Sequence, residues 1–178
     1  MNIKPIETAY KGYKFRSRLE ARWAVFFDAL GVEWQYEPEG YDLGELGWYL
    51  PDFHLPKMGL WVEIKPEVVE QSDIAKVETF GYRHPIAMLR GHPGIRGEYA
   101  SYLYEGRGTS LADLGVWAEC GECGKAFFGA GFSGWFEGFA HCQHIHETGN
   151  RVYDGPRVVA GMKAARSARF GIDRGRTP

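Results

Sequence analysis

The chain has 178 residues, a net charge of -2, and apolar and aromatic fractions of 44% and 15%, the values of a folded globular protein rather than a disordered or globally basic one. That length suits one domain with a real core plus a small appended module. No stretch is long and apolar enough to span a bilayer, and Met1 to Tyr10 lacks the apolar segment of a signal peptide, so a cytoplasmic protein with no membrane partner is expected.

In chain order, the first strong pattern is Leu19, Trp23, Phe26, Phe27 and Leu30, an apolar stripe at helical spacing within Ser17 to Leu30 that Gly31 ends as a C-cap. Ser17-Arg18-Leu19-Glu20 fits a capping box, which is the ordinary role for Glu20. Val32 to Glu37, Trp48 to Leu55 and Leu60 to Lys65 read as strands, Glu67 to Phe80 as a helix and Pro85 to Leu89 as a further strand. Pro66 has no amide hydrogen to donate and ends the third strand. The order αβββαβ places the chain in the α/β class.

The chemistry lies in the third strand. Side chains alternate along a strand, so Trp61, Glu63 and Lys65 share one face and Val62 and Ile64 the other. An acid and an ammonium on an otherwise apolar strand are costly to desolvate, and a divalent cation with a phosphate would compensate them. Asp52, which follows Pro51 and precedes Glu63 by eleven positions, offers a second carboxylate. The bland alternatives are a turn at Pro51-Asp52 and a solvent-exposed Glu63 and Lys65 pair.

Pro51-Asp52 with Glu63-Ile64-Lys65 resembles the signature of the PD-(D/E)xK nuclease superfamily, and Phe15 to Trp23 is similar to the acid-bearing first helix of its phage and actinobacterial members. The resemblance covers Phe15 to Lys65 and implies a restriction-endonuclease-like mixed sheet flanked by helices. It makes Glu20 the third acid. It further implies that Asp52, Glu63, the carbonyl of Ile64 and Glu20 hold Mg²⁺ (or Mn²⁺), with Lys65 orienting the attacking water and offsetting charge on the phosphorus.

Basic residues cluster at both ends. Lys14, Arg16, Arg18 and Arg22 surround the first helix, and Arg166 and Arg169 lie on an expected helix from Arg157 to Phe170. They are candidate DNA phosphate contacts, or only solvated helix faces. After about residue 97 glycine and aromatics dominate, with short strands expected at Glu98 to Leu103 and Gly115 to Ala118. Cys120-Gly121-Glu122-Cys123-Gly124 has the spacing of a zinc knuckle, and Cys142 sits among His141, His144 and His146. Three cysteines and one histidine would close a structural zinc site. Cys142 with His146 is the first choice for its second half, and His144 or His141 stays open. Free thiols are the alternative.

These readings divide the chain into a nuclease core (1–97), a zinc-ribbon-like Cys/His module (98–150) and a basic terminal helix and tail (151–178). The expected activity is Mg²⁺-dependent hydrolysis of phosphodiester bonds in DNA, with a homodimer as one way to cut both strands of a duplex. A non-catalytic nucleic-acid binder and a protein-interaction factor remain as other classes.

Overall fold

The computed structural model describes residues 5–94, 100–104, 110–111, 115–130, 142–144 and 150–171. The order begins with a hairpin of β1 (Thr8–Tyr10) and β2 (Tyr13–Phe15), followed by α1 (Arg18–Leu30). Next come β3 (Gln35–Tyr36), β4 (Tyr41–Asp42), β5 (Trp48–Tyr49), β6 (Phe53–Leu55), β7 (Leu60–Lys65), α2 (Gln71–Gly81) and β8 (Ile86–Arg90). The later elements are β9 (Ala100–Tyr104), β10 (Ser110–Leu111), β11 (Gly115–Cys120), β12 (Ala126–Ala130), β13 (Arg151–Val152) and α3 (Pro156–Ser167).

The main sheet has six strands in the order β10-β9-β8-β7-β6-β3. Only β7 and β8 run parallel, joined by the α2 crossover, and the remaining neighbours are antiparallel. The protein is therefore a mixed α/β structure. The alternation read along β7 sets its layers. Val62 and Ile64 pack with α1, α3 and the rings of Trp117 and Phe128, whereas Trp61 packs on the opposite face with Ile86, Met88 and, from α2, Val77 and Phe80. A division after residue 97 falls between β8 and β9, which are hydrogen-bonded neighbours.

Helix α1 forms where its stripe and caps require. The Ser17 side chain accepts from the Glu20 amide at 3.1 Å, and Gly31 closes the other end at φ 70°. Two expectations need correction, and one element goes beyond them. Trp48 to Leu55 is not one strand: the ladder breaks at Leu50 to Asp52, where Pro51 cannot donate, and β5 and β6 belong to different sheets. Val32 to Glu37 pairs only at Gln35 and Tyr36: the Val32 amide is still bonded back to the Phe27 carbonyl at the end of α1, and Glu37 turns into the left-handed region at φ 44°. The β1/β2 hairpin was unforeseen; its turn needs positive φ at both Lys11 and Gly12, the conformation of a two-residue primed turn.

A three-stranded sheet, β12-β11-β13, carries the cysteine knuckle. Trp117 of β11 packs edge-on to Phe26 of α1, so this sheet shares the main core. Buried Glu119 on the same strand accepts a 2.7 Å hydrogen bond from the Val158 amide in the first turn of α3.

Candidate functional site

The break at Pro51 aims Asp52 at β7. Its Oδ2 accepts from the Ile64 amide at 2.7 Å and its Oδ1 from Arg16 Nη2 at 3.1 Å. One strand position before Ile64, Glu63 is held from both sides: Tyr49 donates its hydroxyl at 2.9 Å and Lys65 Nζ lies 2.9 Å from the other oxygen. Lys65 also bonds Asp73 of α2 at 3.1 Å. Glu20 reaches the same cleft from α1. Its Oε1 accepts from Ser17 Oγ at 2.5 Å, and its Oε2 from the Tyr36 hydroxyl at 2.7 Å and the Arg16 amide at 3.1 Å.

Glu20, Asp52, Glu63, Ile64 and Lys65 thus line one cleft of about 510 Å³, together with Arg16, Tyr49, Asp73 and Lys76. The three acids are 7%, 4% and 4% exposed. Burial, followed by the charges of Glu63 and Glu20, holds the Asp52 carboxyl well above the usual carboxylate range. Burial also raises Glu63, against the opposing pull of Lys65 and Tyr49. Burial disfavours the Lys65 ammonium, but Glu63 and Asp73 more than offset it, so its pKa rises and it stays charged at neutral pH. The cleft therefore holds buried carboxyls whose charged forms burial disfavours, and the atoms they offer a metal are oxygens. Magnesium and manganese prefer that chemistry.

Glu20 is both a cap and a cleft residue, so its two readings from sequence are compatible. Its oxygens are already engaged, as are those of Asp52 and Glu63, and among the described residues the three acids do not bring ligand atoms within 4.8 Å of one another. Sequence reasoning missed Tyr36, Tyr49 and Asp73, which fix Glu20, Glu63 and Lys65. Nothing in their local sequence marks them, because each is defined by a partner eight or more positions away.

The basic residues divide. Arg16 alone of the six candidates lines the cleft, where it bridges Asp52 and Glu37. Lys14 pairs with Glu7 at 2.7 Å. Arg22 ties two elements together: its guanidinium donates to the Ala165 carbonyl and, at 2.7 Å, to that of Arg166, capping the end of α3. Arg166 Nε bonds the Pro93 carbonyl at 3.2 Å. Arg18 and Arg169 are exposed on the surface.

The second cluster is the knuckle. Ligand atoms of Cys120, Cys123, Cys142 and His144 lie within 4.8 Å of one another, a set able to hold a metal ion such as zinc. Among the described residues the histidine that joins the three cysteines is His144, one of the two alternatives; the first-choice His146 lies outside the described residues, as does His141. Gly124 makes the turn possible at φ 67° and donates to the Cys120 carbonyl at 2.8 Å. Hydrogen bonds from His144 and the Lys125 backbone lower the Cys123 thiol to about 6, which favours the thiolate that metals bind.

Comparisons with family models, curated proteins and solved structures return no match for this chain. No helix among the described residues is long and apolar enough to cross a membrane.

Proposed function

We propose that the chain is a metal-dependent nuclease that hydrolyses phosphodiester bonds in DNA. One observation carries the reading: the helix acid Glu20, the post-proline Asp52 and the Glu63 and Lys65 pair, separate in sequence, line a single cleft in which the three acids are buried. The mixed sheet with β7 near its centre suits a restriction-endonuclease-like core.

Asp52, Glu63 and the Ile64 carbonyl would hold Mg²⁺ or Mn²⁺, with Glu20 reaching it through water. A cation there supplies Lewis acidity and a more acidic bound water. The chain supplies the rest. Tyr49 fixes the rotamer of Glu63, and Tyr36 and Ser17 that of Glu20. Lys65, clamped between Glu63 and Asp73, would stabilise negative charge growing on the phosphoryl oxygens and orient the attacking water. Arg16, which lines the cleft, would contact an incoming phosphate. The knuckle would hold zinc as a fastener, since four protein ligands leave no open coordination position.

The test is a cleavage assay on single-stranded, duplex and branched DNA and on RNA, with Mg²⁺ or Mn²⁺ titrated in. Metal-dependent cleavage of DNA that falls by at least about a hundredfold in Asp52→Ala is expected. Failure to cut any substrate, or an indifferent Asp52→Ala, overturns the reading.

A further inference from the structure

Trp48 is 66% exposed, yet it is not a loose side chain. Its indole lies against the backbone of Gly40, so close that any side chain at position 40 would strike the ring. It is carried by the β4/β5 hairpin, where Asp42 pairs with Trp48 and Tyr41 with Tyr49. The next residue, Tyr49, is buried and bonds Glu63. Lys76 of α2 donates to the Trp48 carbonyl at 3.4 Å, putting an ammonium on the same rim, and both residues line the cleft of Asp52 and Glu63.

A seated, largely solvent-exposed aromatic ring beside a cation is the pairing that single-strand surfaces use: the ring stacks on a base and the cation meets the phosphate. A base held in a duplex is already stacked and paired, and reaches such a ring only after leaving the helix. We infer that Trp48 is a stacking platform for an unpaired nucleobase, with Lys76 on the adjoining phosphate, so that the cleft takes DNA with a single-stranded segment next to the cut. This rests on the nuclease reading and names its substrate class. The seat on Gly40 supplies rigidity, so little ordering is needed when a base arrives.

Binding without turnover is measured with the zinc-loaded Asp52→Asn chain and fluorescein-labelled oligothymidylate, a blunt duplex, and the same duplex with a short single-stranded overhang. The expected result is tighter binding of the oligothymidylate and the overhang, lost about tenfold on adding Trp48→Ala and largely kept with Trp48→Phe, with blunt-duplex affinity unchanged. Unchanged melting of Trp48→Ala checks that the fold is intact. Equal loss on all three DNAs, or no loss on any, overturns the platform. The two readings separate cleanly: native protein that cuts DNA while Trp48→Ala binds and cuts like the parent sinks only the platform, whereas Trp48-dependent binding of unpaired DNA with no cleavage by the native chain sinks the nuclease reading and leaves the platform standing.

Discussion

Asp52 is the most heavily constrained residue of the cleft, because both its oxygens are bonded while Glu63 and Glu20 press on its charge. Its neighbours make single substitutions informative. Glu20→Gln keeps a carbonyl oxygen to accept from Tyr36 and Arg16, so stability should change by less than about 1 kcal/mol while cleavage falls; parallel melting curves and rates check this. Lys65→Ala should leave Mg²⁺ affinity nearly intact and slow turnover by about a hundredfold or more in single-turnover kinetics. The acid and lysine positions were legible because proline, strand alternation and spacing act locally. Asp73 and Tyr49 were not, since their meaning comes from tertiary contacts with Lys65 and Glu63.

At the scale of elements, α1 was readable at both ends because its signals, Ser17 and Gly31, sit beside the turns they cap. Strand β7 was readable for its alternation and for Pro66. The split of Trp48 to Leu55 was hidden because its apolar pattern continues through Pro51, and the first hairpin because Lys11-Gly12 is a weaker turn signal than Asn-Gly. Packing between α1 and α3 depends on a glycine that sequence periodicity does not explain. A methyl at Gly161 would collide with Leu30 and Phe26, so Gly161→Val should cost about 1–3 kcal/mol in denaturant melts. Glu119→Ala removes the charged acceptor at the start of α3 from a buried site and should cost a similar amount, about 1–3 kcal/mol.

For the whole molecule, the knuckle is tied to the cleft through one continuous path: Glu119, beside Cys120, caps α3, α3 packs on α1 in the main core, and α1 carries Glu20. Stripping a metal bound at the knuckle with a chelator, or Cys142→Ser, should therefore lower the melting temperature of the whole protein in one transition rather than release a separate piece. The three cysteines were legible by spacing, but the histidine was not, because the choice among His141, His144 and His146 depends on how the chain returns to the knuckle.

The acids also set a pH dependence. Asp52 and Glu63 have raised pKa values in the folded chain, so the native state binds more protons than the unfolded one between the ordinary carboxylate range and those raised values. Stability of the zinc-loaded protein without added magnesium should then fall as pH rises through that window and level off above it. Mg²⁺, which favours the charged carboxylates, should restore stability most at the alkaline end, and Asp52→Asn should flatten the profile; melts across pH read all three.

A hard divalent cation held between Asp52 and Glu63 is the proposal on which the nuclease reading stands. Mn²⁺ titration of the zinc-loaded protein, read by the electron paramagnetic resonance of free Mn²⁺, checks it. Saturable binding in the native chain, lost in both Asp52→Asn and Glu63→Gln, is the predicted result; native binding that both variants retain, or no binding at all, contradicts it.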